Sequence, residues 1–145
     1  TFVTDQDNGL VFQACNSQEA EALRALFLPF AQEVNQRLAD AGFDTFVEQL
    51  CAPHYADARG RPSIPPGTYF RMLFIGYFEG LDSQRGIAWR CADSRSLQAF
   101  LGYLPTEDTP DHSSLTKVRQ RLPEAVHEQV FAFVLGIACW TCNGS

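Results

Sequence analysis

"PGTYFRMLFIGYFEGL", residues 66–81, decides the fold. Phe70, Leu73, Phe74, Tyr77, Phe78 and Leu81 recur at helical spacing along one face, and Tyr69, Met72 and Ile75 occupy much of the rest. A surface helix keeps one polar side, whereas a helix apolar nearly all round is buried at the centre of its domain. The apolar stretch from Ile64 to Leu81 also contains Pro65, Pro66, Arg71 and Glu79. It is too short and too interrupted for a membrane span, which takes about 20 apolar residues.

Towards the N-terminus, "HYADARGRPSIPP" (54–66) is a loop rich in proline and glycine. Before it, Asp44 is placed to cap a short helix carrying Phe46, Val47 and Leu50, and Pro53 is expected to stop it. Asn16 with Glu19 resembles a capping box that opens a helix through Leu23, Leu26, Phe27 and Phe30. Pro29 should kink that helix, which resumes through Val34 and Leu38 and ends at Gly42. Residues 1–15 show no clear period and read as a loose or extended arm.

Towards the C-terminus, Asp82 or Ser83 caps a helix from Gln84 to Ala92. Asp93 and Ser94 break it and cap another carrying Leu97, Phe100 and Leu101, which ends at Gly102. "YLPTEDTPD" (103–111) is a loop, "SSLTKVRQRL" (113–122) is helical, and Pro123 suits the first position of a last helix with Glu124 in its first turn. No alternating β pattern, internal repeat or low-complexity tract is present. The expected fold is therefore all-α, a small helical bundle over residues 16–138 with a helix-turn-helix-like central part and a short tail over 139–145.

A chain of 145 residues, 46% hydrophobic and 19% charged, has the length and composition of one folded domain. Five cysteines in no secreted framework favour a reducing cytosol, and no basic segment followed by an apolar run marks a signal peptide. A start at Thr1 suggests a fragment or a processed chain.

The net charge of −6 argues against a binder of polyanions over its whole surface. Its distribution points to a local site. Residues 1–58 hold two basic against nine acidic residues, residues 59–121 nine against six, and residues 122–145 none against two. Three of the basic residues, Lys117, Arg119 and Arg121, sit on one short helix. Leu115, Val118 and Leu122 at i, i+3 and i+7 turn its apolar side to a core, which leaves Ser113, Lys117, Gln120 and Arg121 outward, with Thr116 and Arg119 flanking. Arginine forks two hydrogen bonds to guanine or phosphate, glutamine pairs with adenine, and Ser113 and Ser114 at a helix start offer backbone N–H groups to a phosphate. The plain alternative is a solvated helix face.

"QRGIAWRCADSRSLQAFLG" (84–102) weighs towards nucleic acid: two short helices about a polar break, with Ala88 and Leu97 where a helix-turn-helix needs a small and an apolar residue. Arg85, Arg90 and Arg95 add charge to this unit. Ala92 stands where that motif prefers glycine, and Trp89 is a base stacker by chemistry but a core residue by pattern.

Other chemistry is thinly represented. "CWTC" (139–142) spells the C-x-x-C of thiol redox and zinc sites, with Cys51 and His54 as possible further ligands, but it ends an apolar helix rather than opening one after a strand. His112 assists a helix start and His127 falls on the polar side of the last helix. Neither has a nucleophile partner.

The stretch from "GRPSIPPGTYF" through "FLG" to "TPDHSSLTKVRQRL" resembles the N-terminal domain of InsH-type bacterial insertion-sequence transposases, over about residues 40–135. That resemblance implies a helical, DNA-binding or dimerising domain that precedes a catalytic DDE domain, which uses divalent metal to cut and join DNA at terminal inverted repeats. It places the protein in the bacterial cytoplasm at the nucleoid, with a homodimer possible. Past "VFAFVLG" the chain departs from that family: "IACWTCNGS" follows, with no acidic residue after Glu128. No catalytic residue, cofactor or metal ligand carries over, and an inactive, truncated domain is expected. The rival reading is an interaction module in which "TYFRMLFIGYF" and "VFAFVLGIACW" pair between subunits.

Overall fold

The computed structural model describes residues 2–4, 10–12, 18, 29, 32–55 and 63–143. At its centre is the helix that residues 66–81 predict. Pro65 is extended (φ −55°, ψ 140°), Pro66 occupies the first turn where no N–H is needed, and the helix runs Pro66–Glu79. Gly80 closes it in the left-handed region at φ 67°. The Leu81 N–H then reaches the Gly76 carbonyl at 2.8 Å and the Gly80 N–H reaches that of Tyr77 at 3.4 Å, a Schellman end.

Numbered along the chain, the helices are α1 (32–40), α2 (Phe43–Tyr55), α3 (Pro66–Glu79), α4 (Gln84–Asp93), α5 (Arg95–Phe100), α6 (His112–Arg121) and α7 (Glu124–Asn143). They form a helical bundle, as the apolar spacing requires. α3 packs against α2 and α4, α4 also packs against α6, and α2 meets α7. Tyr69, Phe70, Met72, Phe74 and Ile75 are buried from α3, with Phe43, Val47, Leu115, Val118 and Val130 closing around them. Complete burial of Phe70 or Met72 contributes about 1.5–3 kcal/mol relative to leaving it in water. Tyr77 and Phe78 depart from the expected apolar face and are exposed, because the last turn of α3 is covered only where α4 and Phe131 reach it.

Two approaches depend on glycine. A Cβ on Gly76 would stand 2.5 Å from Cδ1 of Ile87, so α4 lies directly on the α3 backbone there. A Cβ on Gly67 would stand 2.6 Å from Oδ1 of Asp44. That carboxylate takes a fork from Arg71, among the described residues the one charged residue buried in the core: Nη1 to Oδ1 at 2.6 Å and Nη2 to Oδ2 at 3.1 Å. Arg71 also donates through Nε to Asn35 of α1 at 2.8 Å and lies over the Phe43 ring at 5.1 Å. Asn35 in turn donates to the Phe100 carbonyl of α5. One guanidinium thus fixes α1, α2 and α3 together and, through Asn35, reaches α5.

Several local expectations change. Asp44 sits in the first turn of α2 with its side chain committed to Arg71, and Gly42 at φ 74° makes the turn from α1. Pro53 lies inside α2, which continues to Tyr55, since a proline in the last turn removes one hydrogen bond close to where the ladder ends anyway. Residues 1–15 contain an antiparallel pair, Phe2–Thr4 (β1) with Leu10–Phe12 (β2), in the register Phe2↔Phe12 and Thr4↔Leu10. The strands are three residues each, too short for alternation to show in the sequence. Residues 16–30 with their capping box and proline kink lie outside the described residues, apart from the helical backbone at 18 and 29. The α7 backbone stays helical to Asn143, so Cys139 and Cys142 lie on that helix.

The helix-turn-helix expectation for 84–102 is met in its caps but not in its turn. Ser83 accepts from the Gly86 N–H at 3.0 Å, and Ser94 both ends α4 and caps α5. A single residue therefore separates the two helices where the motif uses a three- to four-residue turn. Among the described residues no helix is long and apolar enough to cross a membrane.

Candidate nucleic-acid interface

The basic helix α6 begins at Asp111, whose Oδ1 accepts the Ser114 N–H at 2.8 Å and the Ser113 hydroxyl at 3.0 Å. Hydrogen bonds from Ser114, first its hydroxyl and then its N–H, together with the Ser113 hydroxyl, hold this carboxyl down to about 2. The position at which Ser113 and Ser114 were expected to cradle a phosphate therefore already holds a carboxylate. Thr116 is also engaged, its hydroxyl donating to the His112 carbonyl at 2.9 Å.

Leu115, Val118 and Leu122 are buried, as their spacing requires, and this sets the outward face. Ser113, Lys117 and Gln120 are exposed on it, and Arg119 is exposed at its flank, towards α3 and α7. Among the described residues none of the cations Arg85, Arg95, Lys117 and Arg119 has an ion-pair partner. The first two are exposed on α4 and α5.

Two of the arginines assigned to DNA by sequence are used inside the fold. Arg90 forks onto Glu79 of α3, with Nε to Oε2 at 2.6 Å and Nη2 to Oε1 at 3.1 Å. Arg121 donates to the Ser63 hydroxyl at 3.3 Å and stacks over Tyr55 at 5.5 Å, which holds the end of α6 to α2. Helical spacing puts Arg121 on the outward face, but an aromatic neighbour from a distant element decides its direction. No local pattern reveals such a neighbour.

Sequence reasoning also misplaced two aromatic positions. Trp89, read as core, is 66% exposed, because Ile87, Ala88 and Cys91 supply the buried side of α4. His127, read as solvent-facing, is half-buried between Tyr69 and Phe70, with Nε2 2.8 Å from the Tyr69 hydroxyl and Nδ1 3.1 Å from the Pro123 carbonyl. Beside it a cleft of about 320 Å³ opens between α3, α4 and α7, with Arg119 at its edge. Gln84 also lines it, and its Oε1 is buried without a hydrogen-bond partner among the described residues.

The thiols of Cys51 and Cys91 are buried, and burial pushes them up to about 11 and about 12 respectively. They are protonated at neutral pH, the inert form for redox exchange or metal binding. Among the described residues no three His, Cys, Asp or Glu side chains gather at one point. The side chains of Cys139 and Cys142 lie outside the described set.

A family model described as a transposase domain (DUF772) matches residues 27–121, which span α1 to α6 and so include every arginine and lysine discussed above. Comparisons with curated proteins and with solved structures gave no match.

Proposed function

The chain belongs to the transposase-domain family (DUF772), and from that premise we propose that it is the DNA-binding and assembly part of an InsH-type insertion-sequence transposase. Its partner is duplex DNA of the element's terminal inverted repeats. The observation that carries this reading is the outward face of α6, where Ser113, Lys117 and Gln120 stand in solvent with Arg119 exposed at the flank, while the net charge of the chain is negative. A cation without a protein partner, kept on an acidic protein, is suited to displacing counterions from phosphate.

Lys117 and Arg119 neutralise backbone phosphates and set the position of the helix, and Gln120 is the residue able to read a base edge. Arg85 and Arg95 extend the basic surface onto α4 and α5. Arg90 and Arg121 act indirectly, by holding α4 and α6 in place. Cutting and joining belong to a separate DDE catalytic unit of the same enzyme with its divalent metal, so the residues here bind without cleaving. Binding to such DNA places the protein at the bacterial nucleoid.

Competition binding of the purified chain tests this reading. A labelled terminal-repeat duplex should be displaced by unlabelled repeat at lower concentration than by a scrambled duplex of equal length. Equal displacement by both would remove the sequence-specific part of the proposal, and no retention of either at low salt would remove all of it.

Self-association is a second reading, favoured by the exposed Tyr77 and Phe78 on α3 and Leu135 on α7. Sedimentation of the chain without DNA tests it. A dimer that dissociates on Leu135→Glu supports this contact, and a monomer at all concentrations removes it.

A further inference from the structure

Among the described residues Trp89 has no partner inside the fold. It is 66% exposed, and among the described residues it makes no aromatic pair and no hydrogen bond. Rotating α4 cannot bury it, because the opposite side is fixed twice. Ile87 rests against Gly76, and Arg90 is forked onto Glu79. One helical turn before Trp89 on the same face stands Arg85, exposed and without an ion-pair partner among the described residues. One turn after it stands Asp93, also exposed. The stripe therefore runs cation, indole, anion.

We propose that Trp89 is a stacking platform for an unpaired nucleobase of bound DNA, with Arg85 holding the adjoining phosphate. This rests on the DNA-binding reading above and adds to it a second kind of contact and a second form of substrate. Inside a duplex each base face is covered by its neighbours, so an indole on a helix surface gains a π-face only where a base is unpaired or unstacked. Charge fixes the direction of the strand. Phosphate lies towards Arg85 and the positive end of α4, and is kept from the other end by Asp93 and the negative helix terminus. Stacking of this kind tolerates any base, so it supplies affinity for exposed strands and leaves sequence reading to α6.

The sequence contains one other tryptophan, Trp140, so a Trp140→Phe background leaves Trp89 as the only indole. In that background, titration with a short single-stranded oligothymidylate should quench Trp89 emission. Trp89→Ala should weaken single-strand binding on the order of tenfold, and Trp89→Phe should restore most of it. The salt slope should be the same for all three, because no charge has changed, whereas Arg85→Ala should lower it by about one. Undiminished single-strand binding by Trp89→Ala, with unchanged emission in the Trp140→Phe protein, would overturn the proposal. Binding of duplex but not of single strand would overturn it while leaving the DNA-binding reading intact, and failure to bind either would remove both. A change of emission with protein concentration in the absence of DNA, abolished by Trp89→Ala, would assign the indole to contact with a second copy and overturn the proposal likewise.

Discussion

Arg90 of α4 and Glu79 of α3 face each other as a two-point fork, at 2.6 and 3.1 Å, with both side chains less than one-third exposed. The pair closes the corner between the central helix and the helix that carries Arg85 and Trp89. A basic residue within a basic segment is thereby spent on architecture.

Arg90→Ala should therefore lower stability by about 1–2 kcal/mol, since a partly shielded bidentate pair exceeds an ordinary surface pair. Its DNA salt slope should match that of the unaltered chain. Urea denaturation and a binding titration on the same variant check both parts. A slope that falls by about one with stability intact would return Arg90 to the DNA surface.

Gly67→Ala is a substitution that helix propensity favours by about 1 kcal/mol. Here the new methyl group meets the Asp44 carboxylate at 2.6 Å and Arg71 Nη1 at 3.0 Å. The variant should be less stable by about 1–3 kcal/mol, as for other overpacked sites. A Gly67→Ala chain that melts above the parent would show that the Arg71 cluster yields without cost.

The cap of α6 gives a pH dependence with a definite sign. The Asp111 carboxyl is lowered in the folded chain to about 2. Its contribution is therefore complete above the unfolded value of about 4 and is lost as pH falls through the folded value. Melting temperature should fall across that acid window more steeply for the parent than for Asp111→Asn, which keeps a capping oxygen that does not titrate. At neutral pH the same variant removes an anion beside the proposed DNA face and should bind DNA more tightly. Weaker binding by Asp111→Asn would contradict the placement of phosphate near α6.

Cys51 and Cys91, with thiols pushed up to about 11 and about 12, should resist an aromatic disulfide reagent in the folded chain. Replacing Cys15, Cys139 and Cys142 with serine isolates the pair. Labelling should then wait for denaturant, and rapid labelling of the native protein would show that the α2 and α4 faces open.

Periodicity was sufficient to read the buried helix that begins at Pro66, the capping serines at 83 and 94, the glycine ends at 42 and 102, and the apolar side of α6. All of these depend on neighbours within about four residues. The placements that periodicity did not give share a different cause. Arg90, Arg121, His127 and Trp89 are placed by partners 11 to 58 residues away or by the lack of one, and a helical wheel contains neither. The β1–β2 pair was missed because three-residue strands carry no readable period. Of the α6 face, Ser113, Lys117 and Gln120 stand outward as the sequence indicated, and Arg121 is withdrawn by Tyr55 and Ser63.

In the proposed complex α6 meets DNA phosphate through its exposed cations. Fluorescence anisotropy of a terminal-repeat duplex at several salt concentrations, with the parent chain, Lys117→Ala and Arg121→Ala, tests it most directly. Lys117→Ala should bind more weakly, with a log–log salt slope reduced by about one, and Arg121→Ala should keep the parent slope. A Lys117→Ala chain that binds with the affinity and slope of the parent would contradict the claim.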